Sequence, residues 1–129
     1  MRRHVFPIRV FYEDTDMGGI VYYANYLKFI ERARSDWVRD LGLDQNALRG
    51  DGTVFAVRRV EADWLAPARF DDALEVRTRP VSATGARAVL DQEVWRGDDR
   101  IFAARVTLVA IGPGGRAARL PAALRAALG

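Results

Sequence analysis

From Tyr23 to Leu41 the chain carries one long stretch of helical periodicity, and no other segment repeats it at comparable length. Tyr26, Ile30, Ala33, Trp37 and Leu41 recur at steps of four, three, four and four, which sets them along one stripe of a helix. Lys28, Glu31, Arg32, Ser35 and Arg39 fall mainly on other faces, and Gly42 supplies a stop. At about 1.5 Å of rise per residue such a helix is roughly 28 Å long. One apolar-striped rod of that length needs one broad apolar surface to lie on.

The rest of the apolar sequence reads as strands. In Val5 to Tyr12, Ile8, Val10 and Tyr12 alternate with Arg9 and Phe11. Val54 to Ala66 is long and interrupted at Arg58-Arg59, which predicts a bulge or bend. Leu74 to Pro80 alternates cleanly, and Ala86 to Arg96 begins after a turn at Thr84-Gly85. Gly97-Asp98-Asp99 joins it to Ile101–Ile111, whose apolar residues run along both faces and predict a central strand covered on two sides. Pro121 to Leu128 predicts a short closing helix.

A strand, a long helix and then four strands on mostly short turns predict antiparallel pairing, with the helix laid across the concave face of the sheet. The expected fold is α+β, an antiparallel five-stranded sheet wrapped around one long helix, as one domain over residues 1–129. The other face of the sheet is then expected to present Trp64, Trp95, Val89 and Phe102, which predicts a homo-oligomer that buries it.

Composition removes several classes of chemistry. The absence of cysteine excludes disulfides, thiolate nucleophiles and cysteine-bound zinc, and fits a reducing compartment. His4 is the only histidine and no spaced acidic loop of the calcium type occurs, so neither metal nor cofactor is expected. MRRHVFPIRV is not followed by an apolar run, and no stretch approaches a membrane span. The expectation is a cytoplasmic protein without stable membrane insertion. The net charge of +3 is carried by arginine, with Lys28 the only lysine. These arginines are scattered, without the aromatic-basic interleaving of an RNA-binding surface, so no nucleic-acid partner is expected.

The segment that carries chemistry is YEDTDMGGIVYYANYLKFIERAR, Tyr12 to Arg34. It sets Glu13, Asp14 and Asp16 on a turn closed by Gly18-Gly19, immediately before the long helix. A helix N-terminus offers unpaired N–H groups and a positive partial charge. An acyl oxygen can be polarised there while a neighbouring carboxylate acts on the carbonyl carbon. The residues alone equally allow an acidic turn that only caps the helix.

The same segment closely resembles the hotdog-fold acyl-CoA thioesterases of the 4-hydroxybenzoyl-CoA thioesterase and YbgC-like (Tol-Pal-associated) family. The resemblance rests on the carboxylate turn, the glycines, the apolar run and Asn25-Tyr26 leading into the helix. It continues through Ala62-Asp63-Trp64-Leu65-Ala66-Pro67-Ala68, Asp71-Asp72 and Leu74-Glu75-Val76. It implies a hotdog fold and hydrolysis of an acyl-CoA thioester to free acid and coenzyme A, with acyl-carrier protein as another carrier of the substrate. By position it implies Asp16 as catalytic nucleophile or general base, the Tyr23 amide as oxyanion donor, and Tyr12 as an assisting residue. Many YbgC-like members have histidine where this chain has Tyr23, so a role for an imidazole does not transfer. A second hotdog lineage carries its catalytic glutamate on the helix; with Asp16 in place, Glu31 reads as structural. Arg58, Arg59, Arg116 and Arg119 are candidates for the phosphates of coenzyme A, and the resemblance favours a tetramer over a dimer. The rival readings are a non-catalytic acyl-CoA or acyl-carrier-protein binding module, and an enoyl-thioester hydratase, which needs a histidine that this chain does not supply.

Overall fold

The computed structural model describes residues 3–128. Strand β1 (His4–Arg9) leads to helix α1 (Asn25–Asp40), and a short helix α2 (Gln45–Gly50) follows. Strands β2 (Val54–Trp64), β3 (Ala73–Ala83), β4 (Arg87–Arg96), β5 (Asp99–Ile111) and β6 (Ala117–Ala118) come next, and α3 (Ala122–Leu128) closes the chain. The α+β reading and the antiparallel sheet hold. The sheet has six strands rather than five, because the two residues of β6 continue along β5 where the pairing with β4 ends at Arg87↔Val109.

The strand order is β1-β3-β4-β5-β2. The β3–β4 and β4–β5 hairpins follow from their short turns, but β2 pairs with β5 and occupies the far edge. Residues 65–72 must therefore cross one end of the sheet, past the start of α1. The interruption at Arg58-Arg59 is a bulge, with a register shift between Val57 and Arg59. Strand β1 stops at Arg9, short of Tyr12. Val10 turns its backbone to Asp71 and Asp72, and Tyr12–Asp14 coil into one 3-10 turn. Helix α2, absent from the sequence reading, starts where the Asp44 carboxylate accepts from the Asn46 and Ala47 N–H groups.

Helix α1 buries Tyr26, Phe29, Ile30, Ala33, Trp37 and Val38 against the sheet. The sheet answers with Leu74, Val76, Leu90, Val94, Phe102 and Val106, all buried. Large apolar side chains of this kind contribute about 1.5–3 kcal/mol each when fully buried. One polar knot sits inside this core. Gln92, fully buried, donates from Nε2 to the Ile30 carbonyl at 2.9 Å and to Thr78 Oγ1 at 3.0 Å. Its Oε1 accepts from Arg34 Nη1 at 2.9 Å, which ties helix to sheet at one register.

The outer face of the sheet differs from expectation. Phe102 is not on it: the ring is fully buried and stacks on Tyr26 at 5.1 Å. Trp64 pairs with Phe102 across the β2–β5 ladder and shares its side of the sheet. The outer face instead carries ion pairs, Arg79 and Arg105 on Asp91 at 3.0 and 2.9 Å, Arg100 on Glu93 at 2.9 Å, and Arg59 on Glu61 at 3.0 Å. The hydrogen bond from Arg105, with a second from Arg79, holds the Asp91 carboxyl below its ordinary range. Trp95 lies under the Arg77 guanidinium at 4.2 Å. Strand β5 is internal, yet within one chain only its helix-side face is buried.

Candidate active site

The turn before α1 is fixed by its own backbone. The Asp14 carbonyl accepts from the Tyr22 N–H and from Asn25 Nδ2, both at 2.9 Å, so the first residue of the helix holds the turn in place. The bridge Thr15↔Val21 closes the turn on itself, and Ile20↔Arg69 lashes it to the 65–72 crossing. Within the turn, the Gly18 N–H donates to Asp16 Oδ1 at 2.8 Å and the Gly19 N–H to the Asp16 carbonyl at 3.0 Å. Both glycines are required locally. A Cβ on Gly18 would stand 3.1 Å from Asp16 Oδ1, and Gly19 has φ of +76°. The result is an exposed Asp16 with one carboxylate oxygen held and the other without a hydrogen-bond partner among the described residues.

Facing it is the amino end of α1. Its N-cap is Ala24, which has no side-chain acceptor to offer. The Asn25 N–H bonds to the Tyr22 carbonyl and the Leu27 N–H to the Ala24 carbonyl. The N–H groups of Tyr23 and Ala24 have no acceptor among the described residues. Trp64 holds this peptide from behind, its indole Nε1 donating to the Tyr23 carbonyl at 3.0 Å.

Asp16 and Tyr23 both line one cavity of about 480 Å³, walled also by Tyr22, Tyr26, Trp64 and Pro67 among others. Its lining is largely aromatic. Trp64 meets Tyr23 edge-on at 5.7 Å and Phe102 at 5.2 Å. The Tyr26 hydroxyl accepts from the Ala68 N–H at 3.1 Å, and burial pushes this phenol's pKa up, so it stays neutral. The far wall is braced by Arg96, which donates to the Pro67 carbonyl at 2.8 Å and to Asp72 at 3.2 Å.

Of the residues singled out in the sequence, Asp16 and Tyr23 thus meet at one cavity. Tyr12 does not line it; its side chain is 80% exposed. Glu31 lies two turns further along α1, accepting from the Ser35 hydroxyl at 3.0 Å. His4 is a first-strand residue at the opposite end of α1, its Nε2 2.9 Å from Asp36 Oδ2 and 3.5 Å from Asp40 Oδ2. None of Arg58, Arg59, Arg116 and Arg119 lines the cavity. Sequence reasoning missed the roles of Trp64 and of the Ala24 amide. The first comes from 41 residues away, and only the absence of a capping side chain before Asn25 signals the second.

A profile described as thioesterase superfamily matches residues 18–103, two-thirds of the chain. The chain belongs to that superfamily. It is 40% identical over 108 residues to the acyl-CoA thioester hydrolase YbgC of Escherichia coli O6:H1, covering 83% of this chain and 81% of that one. To the acyl-CoA thioesterase YbgC of Haemophilus influenzae it is 37% identical over 107 residues, 82% and 79% of the two chains. Among solved structures, a probable thioesterase from Bartonella henselae superposes with a TM-score of 0.89 at 36% identity, covering 93% of this chain and all of that one. The hotdog architecture expected of this superfamily member is the one observed. Among the described residues no helix is long and apolar enough to cross a membrane.

Proposed function

We propose that this chain hydrolyses acyl-CoA thioesters to free acid and coenzyme A, with Asp16 as the acting carboxylate and the Tyr23 amide as oxyanion donor. The observation that carries this reading is that Asp16, with an unengaged carboxylate oxygen, and Tyr23, with an unengaged N–H, line one cavity. The activity is supported by the family and by relatives named as acyl-CoA thioester hydrolases.

A thioester carbonyl seated against the Tyr23 N–H gains negative charge as the tetrahedral intermediate forms. An oriented donor of this kind typically contributes about 3–4 kcal/mol to that step. The adjacent Ala24 N–H points to a second donor, and the amino end of α1 adds its partial positive charge. Asp16 then either attacks the carbonyl carbon, giving a mixed anhydride that water opens, or removes a proton from the attacking water. The hydrogen bond from Gly18 aims the carboxylate for either route. Coenzyme A leaves as its thiol. Tyr12, whose side chain lies away from the cavity, is given no part in the chemistry.

The reading includes a homo-oligomer. Strand β2 is an edge strand of 11 residues, and Val54, Val57, Val60 and Trp64 along it are exposed. A long apolar edge calls for a covering strand, and a second copy of β2 supplies one. Sedimentation of a monomer at micromolar concentration would refute this part.

The deciding experiment replaces Asp16 with asparagine and follows thiol release over a panel of acyl-CoA chain lengths and benzoyl-type thioesters. Turnover is expected to fall by at least about two orders of magnitude, a typical acid–base contribution, while ligand binding persists. An undiminished rate in Asp16→Asn removes the assignment. Acyl-CoA binding with no thiol release in the unaltered protein would instead make it a binding module.

A further inference from the structure

The cavity at Asp16 and a second, separate cavity lie along the same two rows of residues. Tyr23, Leu27, Glu31, Arg34 and Val38 follow one another at steps of four, four, three and four, so they form one stripe along α1. Opposite runs the helix-side row of β2: Trp64, Ala62, Val60, Val57 and Phe55. Tyr23 and Trp64 share the first cavity. Glu31, Arg34 and Val38 share a second, of about 170 Å³, with Val57 and Phe55. Between the two, Leu27 and Val60 are each 38% exposed and apolar. By helix rise the amides at Tyr23 and Arg34 are about 16 Å apart.

Arg34 lines the second cavity beside Glu31, and no carboxylate pairs with it directly among the described residues. Gln92 presents it by accepting one N–H, and the Gln92 amide hydrogens are already committed to Ile30 and Thr78. Among the described residues the guanidinium has no further hydrogen-bond acceptor and no carboxylate within 4.0 Å. Glu31 is turned to Ser35 and is exposed to solvent, which screens it. Burial lowers the Arg34 pKa, with the Glu31 charge opposing in part. A half-buried guanidinium normally holds a carboxylate, its planar fork being shaped for two oxygens.

We propose that Arg34 receives a carboxylate at the distal end of the acyl chain, so that the preferred substrates are medium-chain ω-carboxyacyl-CoA thioesters lying along α1 and β2 from the first cavity to the second. This rests on the thioesterase reading above and names its substrate class. A plain alkyl end would leave Arg34 desolvated and unpaired. A terminal carboxylate supplies the missing acceptor, while its methylenes meet Leu27, Val60 and Trp64.

The test compares decanoyl-CoA, ω-hydroxydecanoyl-CoA and ω-carboxynonanoyl-CoA, chains of equal length, by thiol release. The carboxylated substrate is expected to exceed the alkyl one in kcat/KM by at least about tenfold, chiefly through KM, as a hydrogen bond to a charged group supplies. Arg34→Met, of similar length without charge, should bring that ratio to one or below, and Arg34→Lys should keep part of it. Should Arg34→Met fail to fold, calorimetric binding of the free C10 diacid against decanoic acid by the unaltered protein asks the same question, with the diacid expected to bind more tightly. Equal rates on alkyl and carboxylated chains, a preference for the hydroxyl end, or an equal loss on all three in Arg34→Met would each overturn the proposal. So would a shift of Arg34→Met to a lower oligomer, which would assign the guanidinium to a carboxylate of a second copy. Failure to hydrolyse any of the three would count against the thioesterase reading itself, and the diacid titration would still decide the role of Arg34.

Discussion

The two ends of α1 are built from similar residues and finished differently. At the carboxyl end the backbone is closed, although the His4 Nδ1 is buried without a partner among the described residues. The Gly42 and Leu43 N–H groups return to Arg39 and Val38, Gly42 takes φ of +81°, and Asp36 and Asp40 converge on a buried His4. At the amino end the fixing stops short. Asp14, Asn25 and Trp64 immobilise the backbone, yet the Tyr23 and Ala24 N–H groups and one Asp16 oxygen are left over among the described residues, and Asp16 and Tyr23 line a cavity. Asp16 and Tyr23 are exposed residues, so no burial penalty forces the pairing of their leftover groups within the chain. In the function proposed above, a substrate completes the pairing of these leftover groups. Backbone paired onto itself, as at the carboxyl end, marks a bolt.

The same substitution at each end gives the largest contrast. Asp16→Asn should cut turnover by about a hundredfold or more and leave the melting temperature nearly unmoved. Asp36→Asn should do the reverse, weakening the contact between β1 and α1 by about 0.5–1 kcal/mol and lowering Tm by a few degrees, with kcat/KM unchanged. Thiol-release kinetics and thermal unfolding on both variants settle it. If Asp36→Asn also depressed turnover tenfold, the two ends would be coupled through the helix and the distinction would fail.

A matched pair of glycines makes a finer test. Gly19 and Gly42 both have positive φ, +76° and +81°, and a Cβ at either would meet no other atom within 4 Å. Alanine therefore carries only the backbone penalty, about 1–2 kcal/mol in each case. Equal losses of stability are expected. Activity separates them, since Gly19→Ala moves the turn that aims Asp16 and should lose about tenfold in turnover, while Gly42→Ala should lose none. Equal kinetics in the two variants would mean that the turn adjusts without moving the carboxylate.

How much of this could be read in advance follows the range of each signal. The α1 stripe and the strand periods are local, and they were legible to within a few residues. So was the meeting of Asp16 with the helix terminus, seven residues apart in the chain. Strand order was not, because nothing local says that β2 pairs with β5 rather than with its successor. Of the four residues expected on the outer face, Val89 and Trp95 lie there, while Trp64 and Phe102 were misassigned for a related reason. A register shift near Trp95 breaks the alternation, so Ile101 and Phe102 are both buried, and the bulge at Arg58 resets the parity that carries Trp64 to the helix side. Once parity is lost at a bulge, counting along a strand assigns the wrong face. The cavity wall opposite Tyr23 therefore had to come from the pairing itself.

The smallest effect is expected at a side chain that this geometry does not use. Tyr23 is 59% exposed, its hydroxyl makes no hydrogen bond among the described residues, and its ring only leans on Tyr22 and Trp64. Tyr23→Phe preserves that packing, the main-chain N–H and the carbonyl that Trp64 holds. Turnover should therefore stay within about twofold of the parent, far below the tenfold or more of a lost acid or base. The measurement is kcat/KM by thiol release across pH 6 to 9. A loss beyond tenfold, or a new ionisation in the pH profile, would show that the phenol takes part in proton transfer. The amino end of α1 would then act through a side chain as well as through the amides it leaves unpaired.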